Sequence, residues 1–144
     1  EIKEYTDNNS STNLFFMGYL QPGNVRKAMA MMDVLLMPYQ EKVSIGLGDI
    51  DTAQWMSPMK LFEYMAVGVP IISSNLPVLR EILTNRENCL LVAPDDINAW
   101  SEALRSLTPT LSSSISSKAY RQYLENYTWD SRAKKMLELS KCTL

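Results

Sequence analysis

Apolar residues in this chain fall into short unbroken runs separated by amphipathic stretches. Leu14-Phe15-Phe16-Met17 is closed by Gly18, and Val34-Leu35-Leu36-Met37 is stopped by Pro38. Val69-Pro70-Ile71-Ile72-Ser73 and Leu90-Leu91-Val92 follow. Runs of this length without polar alternation predict strands buried on both faces. Between them the period changes. Val25, Ala28, Met29 and Met32 have helical spacing behind Asn24 as a cap, which predicts a helix over 25–32. Ser57 as N-cap and Pro58 at the first helical position open a helix from Met59 to Val67, which Gly68 ends. Pro77 opens a helix over 78–83. Pro94-Asp95-Asp96 starts another that runs to about Leu107, with Ile97, Trp100, Ala103, Leu104 and Leu107 on one face. The serine-rich stretch Ser112 to Ser117 reads as a linker into a helix over 115–126. Thr128-Trp129-Asp130 caps a C-terminal helix, 128–141.

Strands alternating with helices, with the strands apolar throughout, define an α/β fold: a Rossmann-like parallel sheet flanked by helices. In such folds ligands sit outside the carboxyl ends of the strands. That places a candidate site in segments 18–24, 38–59 and 73–77. Residues 39–56 form the longest stretch without periodicity, and a loop of that length in a compact domain is commonly functional. Residues 1–12 are polar. Four strands make a small sheet, so the first strands of the fold are expected to lie outside these 144 residues, which read as one truncated domain, 1–144. The absence of an initiator Met agrees with a processed product or a piece of a longer protein.

Composition narrows the function classes. With 46% hydrophobic and 21% charged residues the chain is of ordinary globular type, neither disordered nor fibrous. A net charge of −2 gives no general attraction to nucleic acid or to anionic lipid. No apolar run reaches bilayer-spanning length, and Glu1-Ile2-Lys3-Glu4 does not open a signal peptide. The chain has no histidine, so it can offer no imidazole base and no Ser-His or Cys-His couple. Its two cysteines, Cys89 and Cys142, are too few for a zinc site without His and read as reduced packing residues. No metal and no cofactor is expected, and the location expected is cytoplasmic.

The sharpest chemical signal is Ser57-Pro58-Met59-Lys60-Leu61-Phe62-Glu63-Tyr64. On a helical wheel Met59, Leu61, Phe62, Met65 and Ala66 share an apolar face, with Lys60, Glu63, Tyr64 and Val67 on the other side. A helix start presents free N–H groups and the positive end of the dipole. Lys60 stands where a capping box would place Glu or Gln. A phosphate would reconcile that cation with the helix end; an exposed Lys60–Glu63 pair is the alternative. Glu63, one turn further in, is a candidate acceptor for sugar hydroxyls such as a ribose diol, or else a carboxylate bonded to a neighbouring loop. Asp49 and Asp51 read as solvated loop carboxylates. Met29, Met31 and Met32 read as core filling. Trp55 fits a lid, a sugar-stacking residue or a packing anchor; Trp129 reads as packing.

Three segments together resemble a known family. They are Phe16-Met17-Gly18-Tyr19, Met32 to Tyr39, and Ser57 to Ser73. Leu79 to Leu83, Asn88 to Asp96 and Thr128 to Ala133 continue the match in order. The whole, about residues 13–140, is similar to the C-terminal half of GT-B glycosyltransferases, above all the retaining family called group 1 or family 4. The resemblance implies a two-domain enzyme whose C-terminal domain binds the nucleotide-sugar donor, a UDP- or GDP-sugar. The acceptor, a glycan or a lipid-linked acceptor, would be bound through a missing N-terminal domain. It implies that Glu63 binds the ribose and that Ser57, Met59 and Lys60 bind the donor diphosphate, with Lys60 and Glu63 carrying catalysis. It also implies that Gly18, Tyr19 and Leu20 line the nucleobase pocket. Retaining transfer would use the donor's own phosphate as base, so the lack of His is no obstacle. Two departures stand out. The family often places a second glutamate eight positions before Glu63, where this chain has Trp55, making Trp55 a candidate sugar contact. The family's basic phosphate-binding segment has no counterpart in residues 1–12. This chain alone is therefore expected to be inactive, and a non-catalytic nucleotide- or sugar-binding module, or an inactive structural fragment, is the alternative.

Overall fold

The computed structural model describes residues 13–40 and 59–141. Strands β1 (Leu35–Met37), β2 (Ile71–Ser74) and β3 (Leu90–Val92) form a parallel sheet in the order β1-β2-β3. Leu35 pairs with Ile71, and Ile72 with Leu90. Six helices accompany them among the described residues: α1 (Pro22–Ala30), α2 (Met59–Val67), α3 (Pro77–Arg80), α4 (Ile97–Ser106), α5 (Pro109–Asn126) and α6 (Trp129–Lys141).

The central strand β2 is buried at every position, as a parallel strand covered on both faces must be. Its side chains alternate between two cores. Ile71 joins Met37, Leu61, Met65, Leu79 and Ala119 on one side, and Ile72 joins Leu90, Val92 and Ile115 on the other. Because Ile115 and Ala119 both belong to α5, that helix ties the two cores together. The serines that end β2 are buried as well. Ser74 Oγ donates to the Tyr39 carbonyl at 2.6 Å, which fixes the chain leaving β1 to the carboxyl end of β2. Gly68 ends α2 at φ +74°, a left-handed conformation that suits glycine. Asn88 secures the turn before β3. Its amide accepts from Thr84 N–H at 2.8 Å and donates to the Ile82 carbonyl at 2.9 Å and to Gln122 Oε1 of α5 at 2.6 Å.

Several elements differ from the sequence expectation. Leu14–Met17 is not a strand: it has no ladder partner among the described residues and its side chains are exposed, Phe15 at 81%. A strand buried on both faces needs neighbours on both sides, and none of the described strands bonds to this segment. Ser112–Ser117 is no linker; it lies inside α5. The helix starts earlier because Thr108 caps it, its side chain accepting from Leu111 N–H at 3.2 Å, with Pro109 at the first position. Buried Ser116 shows why small polar residues suit this turn, where the helix lies close to its neighbours. α1 opens at Pro22 rather than behind Asn24, whose N–H bonds back to the Gln21 carbonyl at 2.8 Å. Met31 and Met32 do not fill the core; Met31 is 82% exposed.

Two consequences can be measured. Leu61 is fully buried between α2 and β2, so Leu61→Ala should cost about 2–5 kcal/mol. A urea denaturation midpoint equal to that of the parent chain would place Leu61 outside the core. Burial pushes the Cys89 thiol up from 9.0 to about 12. Cys89 should thus resist thiol reagents at pH 8 until the chain unfolds. The stability contributed by the neutral thiol is complete below about pH 9 and falls as pH rises towards 12, because only the unfolded thiol ionises in that window. Stability that stays flat across that window in the parent chain, or falls equally in Cys89→Ala, would contradict this assignment.

Candidate functional site

Helix α2 is apolar on more than one side, and the structure divides those sides between two tasks. Leu61 and Met65, one turn apart, point into the core. Met59, Phe62, Glu63 and Ala66, spaced i, i+3, i+4 and i+7, face an open groove of about 790 Å³. The single apolar face expected from the wheel is therefore two stripes, and Glu63 sits in the outer one. The opposite wall repeats the spacing: Pro22, Val25, Arg26 and Met29 of α1 line the same groove. Arg26 Nη2 reaches the Ala66 carbonyl at the C-terminal end of α2, at 3.5 Å, where a cation meets the negative end of the dipole.

The third wall is the corner between α5 and α6. Tyr123, Asn126, Tyr127 and Thr128 line it, followed by Trp129, Arg132 and Lys135 of α6. The rings of Phe62 and Tyr127 pack with centroids 4.8 Å apart, which seats the corner beside the middle of α2. Thr128 starts α6 as expected, its hydroxyl accepting from Ser131 N–H at 3.1 Å. Asn126 Nδ2 donates to the Gln122 carbonyl at 3.2 Å, and its Oδ1 accepts from Lys135 Nζ at 3.4 Å. Trp129 is 79% exposed at the groove rather than packed in the core.

Of the residues singled out in the sequence, Tyr19, Leu20, Met59 and Glu63 come together in this groove. Gly18 does not line it. It takes φ +65° just before Tyr19, which is 87% exposed. Lys60 stands exposed on the first turn of α2, outside the groove lining. Ser57, Trp55, Asp49 and Asp51 lie outside the described residues, as does Cys142. Arg26, Arg132 and Lys135 are groove residues that the sequence reading passed over. The visible signal was α6 itself, where Trp129 and Arg132 recur one turn apart.

Charge in the groove is unbalanced: three cations face the one carboxylate of Glu63. None of these four pairs with another charged group among the described residues. The Tyr64 phenol, on the neighbouring side of α2, is pushed up by burial first, then by Tyr39 and by the charge of Glu63. Aromatic rings, hydrogen-bonding groups and an excess of cations suit a ligand that is flat at one end and anionic at the other. The described residues hold no cluster of three or more metal-ligating side chains, and none of their helices is long and apolar enough to cross a membrane.

Comparison with known proteins agrees with this architecture. The C-terminal domain of a group 1 family glycosyl transferase from Francisella tularensis, LpcC, superposes with a TM-score of 0.67 at 17% identity, over 89% of this chain and 61% of that one. Sucrose-phosphate synthase from Thermosynechococcus elongatus gives 0.75 at 21% identity, over 99% of this chain and 33% of that one. HepE of Anabaena, crystallised with UDP-glucose, gives 0.73 at 14% identity, over 98% and 36%. These likenesses show the fold, the C-terminal Rossmann-like half of a GT-B architecture. In sequence, the O-antigen chain mannosyltransferase RfbU of Salmonella typhimurium is 32% identical over 92 residues, 64% of this chain and 24% of that protein. The chain thus spans about a quarter of that relative's length. The family model for glycosyl transferases group 1 matches residues 1–109, three quarters of the sequence, and the chain belongs to that family.

Proposed function

We propose that this chain is the donor-binding part of a retaining glycosyltransferase that moves a sugar from a UDP- or GDP-sugar to a glycan or lipid-linked acceptor in the cytoplasm. The observation that carries the proposal is the meeting of Glu63, Met59, Tyr19 and Leu20, from two separate segments, in one groove with an excess of cations. HepE's complex with UDP-glucose and the mannosyltransferase name of RfbU support a nucleotide-sugar donor.

In this reading Glu63 accepts hydrogen bonds from the ribose hydroxyls. The first turn of α2, with Met59 and Lys60, receives the diphosphate at the positive end of the helix, and Ser57, two residues earlier in the sequence, is assigned to the same group. Tyr19 and Leu20 border the base, with Gly18 turning the chain towards them. The bond from the anomeric carbon to the phosphate oxygen breaks, and the acceptor hydroxyl passes its proton to that departing oxygen as the new glycosidic bond forms on the same face. The side chains do not react covalently. They position the donor and stabilise charge on the leaving diphosphate. The acceptor is held by a further domain, and transfer needs both.

Titration with UDP and GDP, followed by amide chemical shifts, tests the site. Shifts should concentrate on Tyr19, Leu20 and Met59–Glu63. Glu63→Ala should weaken binding about 10- to 100-fold, the range for hydrogen bonds to a charged group, and should abolish the preference for UDP over its 2′-deoxy form. Unchanged affinity and unchanged 2′-deoxy discrimination would remove Glu63 from the ribose site.

A further inference from the structure

We propose that α6 forms part of the donor site and that Arg132 is its base-reading residue, selecting a keto base, uracil or guanine, over adenine. The proposal rests on the donor reading above and extends it to the α6 wall of the groove, to which the resemblance gave no donor role.

The position follows from α2. With the diphosphate at Met59 and the ribose at Glu63, about 6 Å further along at a rise of about 1.5 Å per residue, the base extends from the ribose into the groove. The Phe62–Tyr127 ring contact brings the α5–α6 corner beside Glu63, the next residue of α2, so the ribose and the corner share one groove. Trp129 and Tyr19, both highly exposed and both lining the groove, offer ring faces on which a base can stack. Stacking tolerates every base, so the choice among bases falls to hydrogen-bonding groups.

Of the cations lining the groove, Arg132 is the one whose side chain has no protein partner among the described residues. Asn126 is occupied at both ends of its amide, by the Gln122 carbonyl and by Lys135. Lys135 is thereby engaged, and the Thr128 hydroxyl is bound to Ser131 at the start of α6. Arg26 reaches the Ala66 carbonyl. The Arg132 guanidinium has no hydrogen-bond or ionic partner among the described residues. It carries five N–H donors and no acceptor. It therefore suits an edge of acceptors. Guanine presents O6 and N7 side by side, and uracil presents O4 beside its C5–H, an acceptor edge without an N–H donor. Adenine sets the donor N6 amino group beside N7, so one prong of the fork meets a donor.

The test is a set of dissociation constants for UDP, GDP, ADP and inorganic diphosphate, measured on this chain, on Arg132→Ala and on Glu63→Gln. The parent chain should bind UDP or GDP at least about tenfold more tightly than ADP, the lower part of the range for one base-reading contact. Arg132→Ala should bring that ratio near one while ADP and inorganic diphosphate change less than about twofold. Glu63→Gln should weaken all three nucleotides in common proportion and leave the ratio intact. A parent chain that does not discriminate overturns the proposal, as does an Arg132→Ala chain with an unchanged ratio. So does an equal loss of all four ligands in Arg132→Ala, which would make Arg132 a phosphate ligand. In each of those cases a Glu63-dependent affinity leaves the donor reading standing. Absence of nucleotide binding by the parent chain overturns both.

Discussion

The anchoring of α2 on the sheet is the constraint from which the site follows. Leu61 and Met65 enter the core against Ile71 and Met37, and burial of two such side chains contributes roughly 3–6 kcal/mol at the usual value per residue. That contact leaves α2 little freedom to rotate. With rotation fixed at 100° per residue, the stripe Met59, Phe62, Glu63 and Ala66 can face only the groove. A carboxylate placed within an otherwise apolar stripe is costly unless water or a ligand solvates it. The open groove meets that need.

The second wall depends on a different contact. α5 is long because it serves both cores, through Ile115 on one side and Ala119 on the other. Its final turn ends at Tyr127, whose ring rests on Phe62. The Thr128 cap then redirects the chain into α6. Core packing at one end of α5 thus determines where Trp129 and Arg132 stand at the other. The Asn88–Gln122 bond adds a polar fastening in the same helix, tying it to the turn before β3.

What could be read from the sequence was whatever depends on local rules. The strands at 35–37, 71–74 and 90–92 were legible because short apolar runs have few other uses in an α/β chain, although only β2 is buried at every position and Leu36 of β1 is exposed. Gly68 marked the end of α2 and Thr128 the start of α6 for stereochemical reasons that hold in any context. The failures all need information about neighbours. Leu14–Met17 has strand composition, yet a strand exists only where another strand pairs with it. Ser112–Ser117 has linker composition, yet a helix accepts serines when its apolar residues Leu111, Ile115 and Ala119 are held by a core. The helical wheel of α2 showed one broad apolar face because a wheel cannot tell a residue facing a sheet from one facing a groove. For the same reason Glu63 was visible and Arg132 was not: Glu63 interrupts an apolar pattern, whereas an arginine on the first turns of a C-terminal helix resembles any solvated surface residue.

The distribution of polar satisfaction separates framework from site more sharply than burial does. Ser74, Asn88 and Gln122 are engaged with protein partners, and no buried side-chain nitrogen or oxygen among the described residues lacks one. Such groups have nothing left to offer a ligand. Glu63 and Arg132 are the reverse case: charged, turned to a groove rich in aromatic rings, and without an ionic partner among the described residues. At an ordinary surface position an unpaired charge costs little and means little. Here the two stand on different walls of one cavity, delivered by helices whose other faces are committed to the core or to a cap. Their hydrogen-bonding capacity is complementary, acceptors on one wall and donors on the other. A ligand that bridges them must present hydroxyl donors to α2 and acceptors to α6. A nucleoside with a keto base presents both, about one base–ribose length apart.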